Sequence, residues 1–110
     1  MTVDDLKTAL GLSVAAGGQG LHKEITGCYI GDLLSWVMGR AKDGDAWLTV
    51  MGNRNAIAVA ALADTACIVL VESAPLDGDA REKADEIGMP VLLTEKDSFS
   101  VAAYLAEQLR

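Results

Sequence analysis

The sequence predicts an α/β domain, one unit over residues 1–110, in which a mostly parallel sheet is flanked by helices. Three observations carry this expectation. From Ala46 onward, strand-like apolar runs alternate with helix-like segments over links of a few residues, a rhythm that yields right-handed crossovers and parallel strands. Residues 66–71 form one uninterrupted apolar run rich in β-branched side chains, the pattern of a strand covered on both faces. The chain has 110 residues, 51% of them hydrophobic and 23% charged, which is globular composition at the length of one domain.

Taken in order, Thr2 and Asp5 have the spacing of a capping box, and Leu6 and Leu10 share one face of a first helix that Gly11 stops. Residues 12–15 read as a short strand, Gly17-Gly18-Gln19-Gly20 as a turn, and residues 25–30 as a second strand. Asp32 opens a short helix through Leu33, Leu34 and Val37, closed by Gly39. Residues 46–50 are the third strand and residues 53–64 a helix of small apolar residues, whose stretch from Ile57 to Leu62 must lie on the sheet or on a partner. Residues 66–71 are the fourth strand. The helix over residues 79–87 puts Ala80, Ala84 and Ile87 on one stripe, and Gly88 ends it. Residues 90–93 are the fifth strand, and residues 94–97 form a cap before a last helix carrying Val101, Ala102, Leu105 and Leu109. There is no repeat, linker or low-complexity segment.

Charge excludes one large class of partners. Nine Lys and Arg are scattered among sixteen Asp and Glu, for a net charge of −7. A nucleic-acid surface needs a basic stripe to displace counterions, and none is present. The longest apolar run, residues 56–63, falls far short of the roughly twenty residues of a membrane span, and the acidic start lacks the apolar core of a signal peptide. A cytoplasmic protein without membrane contact is expected. Cys28 and Cys67 each lie inside an apolar stretch, as reduced structural thiols do.

In a parallel sheet, ligands bind beyond the carboxyl ends of the strands. Three loops fall there. The first carries Thr49, Gly52, Asn53, Arg54 and Asn55. Its glycine admits close backbone approach, its helix start offers N–H groups, and Arg54 adds charge, a set that suits a phosphate or carboxylate. The second contains Ser73, and the third Thr94 and Lys96. The plainer reading is that Asn53 and Thr94 are helix caps and Arg54 a solvated side chain. Trp36, Met38 and Trp47 flank the link over residues 39–45 and are either core or anchors of a subunit contact.

The remaining signals point to structure. No G-x-x-x-x-G-K-[ST] occurs, and Asp43-Gly44-Asp45 and Asp77-Gly78-Asp79 lack the bidentate acid of a calcium loop, so they read as surface turns. His22 is the only histidine, and Cys28 falls mid-strand, where thiols are inert. No nucleophile–base set or zinc ligand set is evident, so no catalytic residue, metal or cofactor is assigned. A small enzyme on a phosphorylated metabolite would require Arg54 and Lys96 to hold the anion and Asp32 to act as base, all in one deep pocket.

The segment Leu21-His22-Lys23-Glu24-Ile25-Thr26-Gly27-Cys28-Tyr29-Ile30-Gly31-Asp32-Leu33-Leu34-Ser35 resembles the DRTGG domain family. The likeness continues through Asp45-Ala46-Trp47-Leu48-Thr49, Asn55-Ala56-Ile57-Ala58-Val59-Ala60 and Gly88-Met89-Pro90-Val91-Leu92, and so covers most of the chain. That family is related to the N-terminal domain of HPr serine kinase/phosphatase, and its members accompany CBS domains in regulated pyrophosphatases and also occur in phosphotransacetylases. Stand-alone members occur near genes of iron-only hydrogenase systems. The resemblance implies a parallel or mixed sheet, a homo-oligomer and an accessory role. With the loop residues above, the expectation is a homodimeric regulatory or interaction module that binds a partner protein or a small anionic ligand such as a nucleotide or phosphorylated metabolite. It also implies, as an alternative, an adaptor in a redox metalloenzyme system. It implies no kinase activity, because the P-loop domain is missing. The Asp-Arg-Thr-Gly-Gly string itself is absent, and Lys23 stands about where the family commonly has arginine.

Overall fold

Thr2 and Asp5 form the expected reciprocal cap, each side chain taking the other's backbone N–H, and so start α1 (Val3–Leu10). The Thr2 N–H donated to the Asp5 carboxylate, helped by the Thr2 side chain, holds that carboxyl below its ordinary range. Gly11, at φ 65°, ends the helix in the left-handed region. The computed structural model describes residues 1–110, in which α1 is followed by β1 (Ser13–Ala16), a 3-10 turn over residues 18–20, β2 (Gly27–Ile30) and α2 (Leu34–Arg40). Then come β3 (Asp45–Thr49), α3 (Arg54–Ala63), β4 (Cys67–Leu70), α4 (Gly78–Ile87), β5 (Val91–Leu93) and α5 (Ser98–Gln108).

The five strands form one sheet in the order β1-β5-β4-β3-β2. β2, β3, β4 and β5 are parallel and adjacent in sequence order, while β1 adds an antiparallel edge to β5. The expected mostly parallel α/β architecture is therefore present, as a mixed sheet.

Side chains alternate between two cores, as strand geometry requires. Ala46, Leu48, Cys67, Val69 and Leu92 face one layer, filled by Val3 and Leu6 of α1 and Val101 and Leu105 of α5. Trp47, Ile68, Leu70 and Val91 face the other, filled by Val37 of α2, Ala56, Ile57 and Ala60 of α3, and Ala80 and Ala84 of α4. Alanines at the α3 and α4 contacts let these helices settle close to the sheet and to each other. Ile57 and Val59 thus serve the core, whereas Leu62 is 73% exposed.

Several boundaries differ from expectation for local reasons. The second strand begins at Gly27, because the Ile25 N–H donates to Met1 O and the Thr26 N–H to Gly44 O. Asp32 does not cap α2; Leu33 holds that position without a side-chain bond, and the Asp32 carboxylate turns to β3 instead. Gly39 does not close α2 either. It stays helical, and the chain leaves at Ala41 in an extended conformation. Trp47 is fully buried, with its indole N–H donating to Gly31 O at 2.9 Å, so it belongs to the core and is withdrawn as an interface residue. Trp36 and Met38 remain about half exposed.

Candidate functional site: the crevice between the β4 and β5 loops

The helices that follow β2, β3 and β4 pack on one face of the sheet, and the helix that follows β5 packs on the other. Neighbouring loops leave the sheet in opposite directions only between β4 and β5. Such a switch opens a crevice at the carboxyl ends of the strands, where α/β sheets hold ligands. A cavity of about 520 Å³ lies there. Ser73 comes from the β4–α4 loop, Thr94 and Lys96 from the β5–α5 loop, and Gly11 and Ser13 from the start of the antiparallel edge.

The two loops are tied together at the base of the crevice. The Thr94 N–H donates to Leu70 O at 3.1 Å, the Ser73 N–H to Thr94 O at 2.9 Å and the Glu72 N–H to Lys96 O at 2.8 Å, so the ladder runs on past the strand ends. Glu72 and Ser73 accommodate this by taking φ values of 55° and 60°, a region where side chains with a Cβ are strained. The Thr94 hydroxyl accepts the Lys96 N–H at 3.1 Å and fixes the turn that presents Lys96. Lys96 has no carboxylate within ion-pair distance.

The start of α5 is less available to an anion than its position implies. Asp97 is the N-cap, and its Oδ1 accepts the Ser100 N–H at 2.8 Å. That backbone bond holds the Asp97 carboxyl below its ordinary range, and its negative charge sits where a phosphate would otherwise profit from the helix dipole. The positive group facing the crevice is therefore Lys96.

The first loop contributes less than its composition implies. Thr49 is 2% exposed; its hydroxyl donates to Asp32 and accepts the Met51 N–H at 3.2 Å, which removes it as a ligand contact. Asn53 Oδ1 accepts the Ala56 N–H at 2.9 Å and is likewise spent as a cap. Gly52 is required by packing, since a Cβ there would stand 1.9 Å from Pro75 O. Arg54 and Asn55 are exposed at the same end of the sheet, and neither lines the crevice. Lys23 lies at the opposite end, in a second hollow of about 420 Å³ with Asp43 and Asp64, so it cannot serve the same ligand. No cavity contains Asp32, Arg54 and Lys96 together, so the pocket that a small-enzyme reading requires is not formed.

Both thiols hold their protons more tightly than a free cysteine, Cys67 buried in the core and Cys28 exposed on the edge strand. Burial pushes Cys67 up to about 12, with the neighbouring Cys28 adding to the rise against a small opposing effect of Lys23. Partial burial and the Asp45 carboxylate push Cys28 up to about 11.

The model of a known family, the DRTGG domain, matches residues 5–108. The chain belongs to the DRTGG domain family. Among solved structures, this DRTGG domain is similar to the CBS and DRTGG domains of the regulatory region of Clostridium perfringens pyrophosphatase complexed with activator, diadenosine tetraphosphate. The TM-score is 0.70 and the identity 12%, over 93% of this chain and 44% of that chain. The likeness is one of fold, and this DRTGG domain spans less than half of its neighbour's length. No curated protein matches the sequence.

Sequence reasoning missed the Gly11–Ser13 wall of the crevice. It is created when β1 pairs antiparallel with β5, with Ser13 opposite Leu93, a contact across about eighty residues that no local pattern announces.

Proposed function

We propose that this DRTGG domain is a cytoplasmic regulatory module that works as a homodimer and takes a small anionic ligand, a nucleotide or phosphorylated metabolite, in the crevice between the β4 and β5 loops. The observation that carries the reading is the crossing of α4 and α5 to opposite faces of the sheet, which opens a cavity lined by Ser13, Ser73, Thr94 and an unpaired Lys96. Hydroxyls suit the sugar of such a ligand, and Lys96 its anionic end. The neighbouring pyrophosphatase region, complexed with a dinucleotide activator, supports the choice of ligand class. No helix is long and apolar enough to cross a membrane.

The test is a thermal-shift panel of adenine and guanine mononucleotides, diadenosine polyphosphates and sugar phosphates. A binder at 100 times its dissociation constant adds about 2.7 kcal/mol, a rise on the order of 10 °C for a domain of this size. The reading fails if no member of the panel moves the melting temperature.

A further inference from the structure

The sheet has two edges, and the chain treats them differently. β1 is bulged where the register slips between Val14 and Ala16, and the Ala15 carbonyl is taken by Arg81 Nη1 at 2.8 Å. Both features block the addition of another strand. β2, at the other edge, pairs regularly with β3 and carries Gly27, Cys28, Tyr29 and Ile30, with no charge, proline or bulge to protect it. The Gly31 N–H donates to Leu48 O, so alternation along the parallel ladder turns the backbone groups of Cys28 and Ile30 away from β3.

Large apolar side chains stand exposed beside this bare edge. Ile30, at its end, is 51% exposed. α2 is the outermost helix of the α2–α3–α4 layer, and there Leu33 and Trp36 are 58% and 52% exposed. Charge sets this stretch apart as well. Residues 27–40 contain only Asp32 and Arg40 as charged groups, within a chain of net charge −7. Two copies that repel one another elsewhere can approach along this neutral side.

We propose that the β2 edge and the adjoining flank of α2 are the surface on which two copies of the chain pair. The proposal rests on the homodimer reading above and names its surface. A two-fold axis normal to the sheet makes the joined strands antiparallel, so β2 of one copy hydrogen-bonds β2 of the next, and two five-stranded sheets become one of ten. The same axis sets the two α2 helices side by side and antiparallel. Arg40, which stacks over the Trp36 ring at 3.6 Å, then lies toward Asp32 of the partner subunit. Leu33 and Trp36 on the α2 face, and Ile30 on the opposite, α5 face with its register partner Leu48, provide the apolar contacts, and Ser35 and Arg40 the polar rim, of an interface that needs about 800 Å² from each copy. The occupant is a second copy because its β2 presents the same uncharged strand in the complementary sense.

Sedimentation velocity over a concentration series tests this on wild type, Ile30→Lys, Leu33→Asp and the control Ile87→Lys, whose side chain is 39% exposed on α4, the helix beside β1 at the far edge of the sheet. Wild type and Ile87→Lys are expected to be dimers of equal affinity. Ile30→Lys and Leu33→Asp are expected to dimerise about thirty-fold more weakly or worse, with unchanged circular dichroism. Hydrogen exchange on the wild type gives a reading that needs no variant: the Cys28 and Ile30 amides should slow as dimer forms. If both β2-edge variants dimerise like wild type and those amides exchange freely, this surface is wrong and the homodimer reading stands. If wild type is monomeric at the highest concentration, both fall.

Discussion

The carboxylate of Asp32 and the hydroxyl of Thr49 stand 2.7 Å apart, and the same Asp32 oxygen accepts the Val50 N–H at 3.0 Å. Together with the Trp47 indole bond to Gly31 O, this pins the loop after β2 to the carboxyl end of β3. Asp32 therefore acts on the fold, and its geometry explains why α2 starts without a side-chain cap.

Asp32→Ala is expected to cost about 1–2 kcal/mol, because it leaves the buried Thr49 hydroxyl without an acceptor. Asp32→Asn keeps an oxygen at that point and should lose less than half as much. Urea unfolding of the two variants measures the difference. Equal losses would show that the charge, rather than the accepted hydrogen bond, holds the loop.

Ser73→Gly should separate stability from binding. Ser73 sits at φ 60°, where a Cβ costs about 1–2 kcal/mol and the added freedom of glycine in the unfolded chain returns about half of that. The variant should gain about 0.5–1 kcal/mol and lose ligand affinity, since Ser73 lines the crevice. A melting temperature that falls would mean that the side chain, not the backbone, stabilises this turn. By contrast, Gly17→Ala should be severely destabilising, by more than about 3 kcal/mol. Gly17 is at φ 69°, and a Cβ there would stand 1.9 Å from Met89 O.

The thiols fix the sign of the alkaline stability profile. Folding raises Cys67 to about 12 and Cys28 to about 11 from an ordinary 9.0. Below pH 9 both folded and unfolded chains keep these protons, so the thiols impose no slope. From pH 9 upward the unfolded chain ionises first, and stability falls until the folded thiols titrate as well. Cys67 alone should remove about 3 kcal/mol by pH 11, and Cys67→Ala should flatten that part of the profile. Unfolding curves of the two proteins at pH 8 and pH 11 decide it; parallel declines would place the loss on other groups.

Much of the fold is legible because the signals are local. The β-branched run at β4, the Thr2–Asp5 cap and the terminating Gly11 and Gly88 each act within a few residues, and each stands where its residue types direct. The misreadings come from side chains recruited across the sheet. Asp32 looks like a cap until Thr49 is opposite it, and Trp47 looks like an anchor until the layer of α2 and α3 closes over it. The candidate site is legible only in part for the same reason. Ser73, Thr94 and Lys96 are picked out by the rule that ligands sit at strand carboxyl ends, and they do share one crevice. Which pair of loops opens depends on α5 crossing to the α1 face. Both faces of β5 are apolar, so its sequence does not say which way the chain turns next.

That crossing also ranks the two unpaired cations at this end of the sheet. Lys96 lines the crevice, whereas Arg54 lies one loop away, beyond the Gly52–Pro75 contact. Lys96→Glu reverses charge at the anionic end of the proposed ligand and should weaken binding by tenfold or more, about 1.4 kcal/mol at least. Arg54→Ala should change affinity by less than about twofold at moderate salt, because an exposed charge beyond the first contact is screened. Lys96→Met preserves the stem and removes only the charge, so it should fall between wild type and Lys96→Glu. Isothermal titration of all three variants with the strongest ligand from the thermal-shift panel measures the order. If Arg54→Ala proves more damaging than Lys96→Glu, the ligand sits on the β3–α3 loop, and the opening between β4 and β5 serves another purpose.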